Sequence, residues 1–157
     1  MRILVVFYSR TGFTKKLALS LAAKLQADTE ELVDTTSRKG IMGWLKGGRD
    51  AVKKFMTVIS PAQKDPAQYD LVVVGSPVWA GSMAPALRTY LTQQKSKLKK
   101  FGCFCTMGGS GGQRLFSQVE EILGQKPLAT LTVRTKQVAG NQYASELDRF
   151  AEQISGQ

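Results

Sequence analysis

The chain opens with MRILVVFYSRTGFT, residues 1–14, and the character of this stretch changes after Tyr8. Residues 3–8 are apolar or aromatic and include the β-branched Ile3, Val5 and Val6, a composition typical of a buried strand. Residues 9–14 read SRTGFT, and a helical pattern follows from 15 to 26. The sequence therefore predicts a strand, a tight hydroxyl-rich turn and the N-terminus of a helix.

This turn has the features of an anion site. The N-terminus of a helix carries unpaired backbone N–H groups and the positive end of the helix dipole, and both stabilise an anion. Ser9, Thr11 and Thr14 add hydroxyl groups, and Gly12 permits positive φ or a close approach of the backbone. The same residues also suit an ordinary helix cap, because Ser and Thr are favoured there without any ligand. A phosphate site and a simple cap are both consistent with the turn alone.

The composition indicates a globular domain. The chain has 157 residues, 43% of them hydrophobic and 22% charged, so we expect a single domain over residues 1–157 with a sizeable core. We find no apolar run near the ~20 residues that span a bilayer, and no signal peptide pattern. We therefore expect a cytoplasmic protein without a transmembrane segment.

The sequence contains no histidine and two cysteines. Without histidine, Ser-His-Asp hydrolysis, His-ligated metals and a histidine general base are excluded. Cys103 and Cys105 lie in one predicted strand with parallel side chains, so we expect reduced core cysteines and no metal site. A phosphatase loop starting at Cys105 would need arginine where the chain has Gly111. Any chemistry must then come from a cofactor or from other side chains.

The net charge of +10 is a strong basic bias. Such a charge attracts nucleic acid, an anionic membrane surface, an acidic protein or an anionic cofactor, and does not choose among them.

Predicted strands and helices alternate along the whole chain. We expect strands at 3–8, 30–34, 69–75, 101–107 and 127–133, and helices at 13–26, 41–59, 83–97, 113–123 and 142–154. Residues 134–140 are expected to form a loop, with Asn141 as the cap of the last helix. This alternation predicts an α/β fold with a parallel sheet and helices on both faces.

The predicted helix 41–59 has two distinct faces. Its apolar residues recur at helical spacing, and its other face carries Lys46, Arg49, Lys53 and Lys54. This basic face is either simply solvated or a docking patch for an acidic partner or a membrane surface. Trp44 is compatible with the membrane alternative.

Three predicted strands end in loops rich in Gly, Ser or Pro, at 9–14, 76–82 and 106–112. The carboxyl ends of parallel strands lie at one edge of the sheet, where ligands bind in folds of this class. The three loops are therefore expected to meet and to form one ligand site.

At this point the sequence resembles the flavodoxin-like FMN-binding proteins, in the order and spacing of its elements over the full length. SRTGFT (9–14) looks like the family's phosphate loop, and SPVWAG (76–81) looks like its second flavin loop. The resemblance implies a three-layer fold, a five-stranded parallel sheet in the order 2-1-3-4-5, and FMN bound across the strand ends. It assigns cofactor binding to Ser9, Arg10, Thr11, Gly12, Phe13 and Thr14, to Ser76, Pro77, Val78, Trp79, Ala80 and Gly81, and to Thr106, Met107, Gly108, Gly109, Ser110 and Gly111.

The resemblance also implies particular roles. The first loop would hold the phosphate through N–H groups and hydroxyls, Trp79 would lie against the isoalloxazine ring, and Ala80-Gly81 could present a carbonyl to flavin N5. The third loop would approach the pyrimidine edge. Many family members have an aromatic residue in that loop, whereas this chain has none, so one flavin face is open unless Met107 covers it.

The chain also differs in charge from the family that it resembles. Carrier flavodoxins are typically acidic, whereas this chain is basic. Since a basic surface stabilises the anionic, fully reduced flavin, we expect a less negative potential for the second electron.

Three functions remain open at the sequence level. The first is a flavoprotein that carries electrons between protein partners, among which the basic charge would attract an acidic one. The second is an FMN-dependent NAD(P)H:quinone oxidoreductase, which the open flavin face and the basic surface favour. The third is an FMN-free binding module that uses its basic patches; the hydroxyls and glycine kept in the first loop argue against it, and nucleic acid is an unlikely partner.

Overall fold

The computed structural model describes residues 1–156. Its strands are β1 (Ile3–Phe7), β2 (Asp28–Glu31), β3 (Leu71–Trp79), β4 (Ser82–Met83), β5 (Phe101–Met107) and β6 (Thr130–Arg134). Its helices are α1 (Phe13–Leu25), α2 (Gly40–Val52), α3 (Pro85–Gln94), α4 (Gly112–Leu123), α5 (Thr135–Ala139) and α6 (Ala144–Ser155). Within this part of the chain, no helix combines the length and the apolar character that a membrane crossing requires.

The five long strands form a parallel sheet in the order β2-β1-β3-β5-β6. The two-residue β4 stands outside this order and pairs antiparallel with the end of β3. Counting only the long strands along the chain, the order is 2-1-3-4-5, so the predicted α/β fold and sheet order are confirmed. β2 lies at an edge, as expected, although it begins two residues before the predicted strand.

Two apolar clusters cover the two faces of the sheet. One face of β1 and β3, including Leu4 and Val72, packs in a cluster that contains residues of α3 and α4. The opposite face, including Val5 and Val73, packs in a second cluster that contains residues of α1 and α6. The continuous apolar runs of these strands are therefore explained by burial on both sides. The two cysteines are free and buried in β5, consistent with the predicted core role.

The prediction for residues 41–59 is wrong after Val52, where α2 ends. Lys54 adopts a left-handed φ of 56°. Its N–H donates to Ala51 O, and the N–H of Phe55 donates to Asp50 O. This pair of bonds is a Schellman motif, which ends a helix without a proline and here uses lysine where glycine is usual. Beyond it, Ile59 forms an antiparallel bridge with Asp34.

Three other boundaries differ from the prediction. β3 continues through residues 76–79, which were expected to be a loop, because β4 pairs with its end. Residues 135–139, also expected to be a loop, form α5. Asn141 does not cap the last helix: it has a left-handed φ of 54°, and α6 begins after Tyr143.

Candidate functional site

The turn between β1 and α1 is preformed and leaves several N–H groups free. Gly12 has φ 101°, the left-handed conformation that favours glycine, and stands at the N-cap of α1. The hydroxyl oxygen of Ser9 accepts from the N–H groups of Gly12 and Lys15, each at 3.1 Å. Within residues 1–156, no acceptor is found for the N–H groups of Thr11, Phe13 and Thr14. These free donors at a helix N-terminus suit an anion.

A hydroxyl pair joins this turn to the end of β5. Thr14 Oγ1 and Thr106 Oγ1 lie 2.7 Å apart, and both residues are buried. Thr135, at the start of α5, donates its hydroxyl to Met107 O at 3.2 Å. The first and third predicted loops are therefore brought together at one sheet edge.

The second predicted loop is a tight hairpin between β3 and β4. Its two central residues, Ala80 and Gly81, both have positive φ, at 49° and 77°. Positive φ at both positions is the pattern of a two-residue hairpin turn. The turn lies against the third loop, because a Cβ added at Gly111 would come within 2.7 Å of Val78 Cγ1 and 2.9 Å of Gly81 Cα.

Trp79 is held between Tyr8, which directly follows β1, and α2. Its ring meets Tyr8 edge-on, with the centroids 5.5 Å apart. A Cβ added at Gly47 would lie 2.9 Å from the Trp79 ring, so only glycine leaves room for the indole at this point of α2. Gly47 is thus a packing requirement rather than a weak point of the helix.

Two adjoining cavities open around Trp79. The smaller, of about 170 Å³, starts at the turn and is lined by Arg10, Thr11, Phe13, Thr14, Trp44, Pro77, Val78, Trp79, Thr106, Met107, Gly108 and Thr135. The larger, of about 690 Å³, is lined by Trp44, Leu45, Gly48, Arg49, Val52, Lys53, Val78, Trp79, Ala80 and Gly108. They share four residues, Trp44, Val78, Trp79 and Gly108, and so form one continuous site.

Most of the residues that the sequence predicted for the site line one of these cavities. Those that line neither are Ser9, Gly12, Ser76, Gly81, Gly109, Ser110 and Gly111. Ser76 is fully buried, and its hydroxyl accepts from Ala84 N and donates to Pro77 O. Its side chain therefore joins the two ends of the β3–β4 hairpin and does not face the cavities.

Sequence reasoning missed the wall that α2 contributes. Five residues of α2 line the larger cavity: Trp44, Leu45, Gly48, Arg49 and Val52. Trp44 places a second indole at both cavities, in a site whose third loop has no aromatic residue. The signal in the sequence was the combination of Trp44 with two adjacent glycines, which is unusual for a helix whose only task is to pack on a sheet.

A buried ion network, also missed, holds α2 in place. Arg38 donates to Asp34 Oδ2 at 3.1 Å and to Asp50 Oδ2 at 2.6 Å, and the three side chains are 8% exposed or less. Arg10 of the β1–α1 turn donates to the carbonyls of Arg38 and Gly40, at 2.7 and 3.1 Å. The guanidinium of Arg10 therefore connects the turn to the start of α2.

Burial and charge shift the pKa values of two groups in this region. Burial alone would raise the pKa of Asp50, but hydrogen bonds from Arg38 and Arg49 hold it below its ordinary value. Burial, with a smaller contribution from the Asp34 charge, raises the pKa of Tyr8 to about 12. Tyr8 is therefore neutral, and Asp50 ionised, at physiological pH.

The donor set fits a ligand with an anionic end and a flat apolar body. The free N–H groups and threonine hydroxyls lie at the smaller cavity, and the indoles and aliphatic side chains lie at the larger. Arg49 and Lys53 are the charged residues that line the larger cavity, and no carboxylate lines it in the described part of the chain. FMN, with a phosphate at one end and a planar ring at the other, has this shape and polarity.

Comparison with known proteins agrees with this geometry. The sequence matches the model of a protein family described as Flavodoxin over residues 2–154. No curated protein sequence matches the chain.

Among solved structures, the chain is similar to a flavoprotein from Lactobacillus acidophilus NCFM in complex with FMN, with TM-score 0.76 and 23% identity, covering 96% of this chain and 98% of that one. It is also similar to two-electron reduced flavodoxin from Megasphaera elsdenii, with TM-score 0.64 and 18% identity, covering 99% of each chain. For oxidised flavodoxin 1 from Bacillus cereus the TM-score is 0.58 and the identity 16%, and the match covers 99% of this chain and 98% of that one. At these identities the likeness is one of fold.

Proposed function

The chain belongs to the flavodoxin family, and we propose on this premise that it binds FMN and transfers electrons between protein partners as a single-domain flavoprotein. When bound, FMN supplies the electron-transfer chemistry, and the protein supplies binding, orientation and the local field. The observation that supports this most is the continuous site that joins a helix N-terminus with free N–H groups to a cavity walled by Trp44 and Trp79.

In this proposal the β1–α1 turn holds the phosphate. The N–H groups of Thr11, Phe13 and Thr14 and the positive end of the α1 dipole compensate its charge. The side chain of Arg10 is already bonded to two carbonyls, so its part is to position the turn against α2. No lysine is needed at the phosphate, because backbone dipoles provide the field.

The flat ring then lies in the larger cavity between the β3–β4 hairpin and α2. Trp79 and Trp44 provide aromatic contact, and offset or edge-on aromatic pairs contribute about 0.5–1.5 kcal/mol beyond burial. Lys53 at the same cavity favours an anionic ligand state, whereas the charge of Arg49 is shared with Asp50. We therefore expect an easier second reduction than in a flavodoxin with an acidic site.

A second candidate is an FMN-dependent NAD(P)H:quinone oxidoreductase. The apolar lining, the cations and the 690 Å³ volume of the larger cavity favour it, because they leave room for an anionic or planar reactant beside the ring. Steady-state oxidation of NADH and NADPH by the FMN-loaded protein with a water-soluble quinone separates the two functions. Turnover supports the enzyme, and its absence supports the carrier.

We also propose a cytoplasmic site of action. Cys103 and Cys105 are both free thiols, as is usual in a reducing compartment.

The test of cofactor binding is a titration of the apo protein with FMN, followed by flavin and tryptophan fluorescence. We expect saturable quenching of both signals, with Trp44→Phe and Trp79→Phe each removing part of the tryptophan signal. Thr11→Ala should weaken binding about tenfold or more, because a hydrogen bond to a charged group contributes about 1.5–3 kcal/mol.

Thr92→Ala is the matched control, since it removes an exposed hydroxyl on α3 that bonds only its own helix. It should leave FMN affinity unchanged. No saturable binding at micromolar FMN would overturn the proposal and return attention to an FMN-free binding module.

A further inference from the structure

α2 carries its large apolar side chains on the side that faces solvent. Its buried residues are small or charged: Gly43, Gly47, Asp50 and Ala51. Ile41 is 78% exposed, Met42 77%, Trp44 61% and Leu45 52%. Trp44 and Leu45 line the cavity proposed for the flavin ring, whereas Ile41 and Met42 line neither cavity beside Trp79. Because burial of apolar surface is the main source of folding stability, the exposure of Ile41 and Met42 is not explained by folding alone.

Cations border this apolar surface. A second hollow, of about 610 Å³, lies along α2 and is lined by Ser37, Lys39, Met42, Gly43, Leu45, Lys46 and Arg49. Among residues 1–156, neither Lys39 nor Lys46 has a carboxylate partner within ion-pair distance, whereas Arg49 is paired with Asp50. Two free lysines thus stand beside exposed aliphatic side chains, and no acidic residue of the described part of the chain lines this hollow.

We propose that the outward face of α2, formed by Ile41, Met42 and Leu45 and bordered by Lys39 and Lys46, docks on an anionic lipid bilayer. A helix with apolar residues on one side, lysines at its border and a tryptophan lies in the plane of a membrane interface and buries its apolar face among the headgroups. Each lysine near an anionic leaflet adds to the attraction, and the net charge of +10 adds a long-range contribution.

The other occupants fit this face less well. A second copy of the chain would bring two lysine-bordered faces into one interface, and the like charges that both copies contribute repel. A folded acidic protein would need a groove that matches a protruding helix, whereas lipid headgroups and acyl chains adapt to its shape. The combination of free lysines with the apolar side chains of Ile41 and Met42, which are nearly four-fifths exposed, therefore favours lipid.

Docking in this way has a consequence for the neighbouring site. Leu45 belongs to the docking face and also lines the larger cavity next to Trp79. The mouth of that cavity would consequently lie at the lipid surface. Ile41 and Met42 line neither of the cavities beside Trp79, so their part in docking does not depend on a bound cofactor.

The experiment compares co-sedimentation of the full chain with two kinds of vesicle: phosphatidylcholine containing about 30% phosphatidylglycerol, and phosphatidylcholine alone. In the first kind about one headgroup in three is anionic, which is enough for a strong surface potential. We expect binding to the anionic vesicles that weakens as salt is raised. The double variant Ile41→Ser/Met42→Ser should bind these vesicles at least roughly tenfold more weakly than the parent, because two apolar side chains no longer become buried in the lipid. The double variant Lys39→Gln/Lys46→Gln should lose roughly tenfold or more in affinity for the anionic vesicles, because it removes two positive charges near their surface.

Matched controls lie elsewhere on the surface. Leu19→Ser removes an apolar side chain on α1 that is 47% exposed, and Lys99→Gln/Lys100→Gln removes two exposed lysines before β5. Both controls should bind vesicles nearly as the parent does. In a Trp79→Phe background, the emission of Trp44, then the sole tryptophan, should shift to the blue on binding to anionic vesicles.

Several outcomes would overturn the proposal. One is failure of the parent to bind anionic vesicles. Another is an equal loss of binding in the α2 variants and the control variants, because it would indicate unspecific attraction by net charge. A dimer in solution that Ile41→Ser/Met42→Ser converts to a monomer would assign the face to self-association. FMN titration of every variant reports on the fold and keeps this result separate from the proposed cofactor function.

Discussion

The β1–α1 turn and helix α2 both line the same site, and they are built in opposite ways. In the turn, each local choice agrees with the final structure: an apolar strand, a left-handed Gly12 and a hydroxyl-rich helix start. In α2, the local pattern suggests the wrong face, because the helix buries Gly43 and Gly47 and exposes Ile41 and Met42. The comparison teaches that the turn is fixed by local sequence, whereas α2 is fixed by distant partners.

Those distant partners are a small number of specific contacts. Arg38 joins Asp34 and Asp50 in a buried network, Arg10 binds the carbonyls before α2, and Gly47 admits the Trp79 ring. A helix held by so few contacts should open more easily than α1, whose leucines lie in the core. The predictions below test that difference.

The largest effect is expected from Asp50→Ala. This change leaves the Arg38 guanidinium buried with only part of its charge compensated, and breaking such a pair destabilises by about 3–5 kcal/mol. Urea denaturation followed by circular dichroism measures the loss. Lys24→Ala is the control in the α1 region, because its ion pair with Asp148 is exposed on both sides and should contribute about 0–1 kcal/mol. Equal losses in the two variants would contradict the special role of the network.

The second prediction separates the two regions by pH. The pKa of Asp50 is lowered, so its contribution to stability is present above its ordinary pKa of 3.8 and is lost as the pH falls below that value. The pKa of Tyr8 is raised from 10.0 to about 12, so its contribution is present below pH 10 and is lost as the pH rises from 10 toward 12.

Unfolding free energies measured across both ranges check this second prediction. Tyr8→Phe should flatten the alkaline loss relative to the parent, on the order of 2 kcal/mol at pH 12. Asp50→Asn should flatten only the acid loss. An alkaline profile that Tyr8→Phe leaves unchanged would show that the buried phenol does not carry the effect.

The third prediction concerns the adjacent glycines of α2. Gly47→Ala places a Cβ 2.9 Å from the Trp79 ring, and such overpacking costs about 1–3 kcal/mol. Gly48→Ala has only Ala80 Cβ within reach, at 3.9 Å, and should stabilise the helix by up to about 1 kcal/mol. Thermal unfolding should move the two variants in opposite directions. The Trp79 emission, read in a Trp44→Phe background, should change only in Gly47→Ala, and a change in both would argue against the contact.

The smallest effects are expected at the two helix ends that use a left-handed residue other than glycine. Lys54 ends α2 at φ 56° and Gln26 ends α1 at φ 51°. Glycine adopts this conformation without strain, so Lys54→Gly and Gln26→Gly should each stabilise their helix by about 1 kcal/mol. In hydrogen exchange, the stabilisation by Lys54→Gly should appear as slower local opening of α2. The stabilisation by Gln26→Gly should appear as slower exchange through global unfolding. Lys53→Gly, at an ordinary φ of −76°, is the control and should not stabilise.

Parts of the site could be predicted because they depend on short stretches. Thr11, Thr14 and Trp79 all line the cavities, as their loops at strand ends suggested. Ser76 does not, because its position in β3 turns its hydroxyl toward Ala84, and that orientation depends on the pairing of β3 with β4. Trp44 was not assigned to the site: the adjacent Gly47 and Gly48 mark the helix as unusual, but they do not reveal which of its sides faces the sheet.

The strand order 2-1-3-4-5 was implied by the resemblance to the flavodoxin-like proteins. The sequence by itself determined the alternation of strands and helices, a parallel sheet with helices on both faces, and the hydroxyl-rich turn after β1. These features follow from apolar runs, helical periodicity and turn residues, which act over a few neighbouring positions. Only the tertiary structure decided the orientation of α2, the buried Arg38 network and the pairing of Trp79 with Gly47. Each of these depends on residues far apart in the chain, and the energy of burying a charge or fitting an indole exists only once they meet.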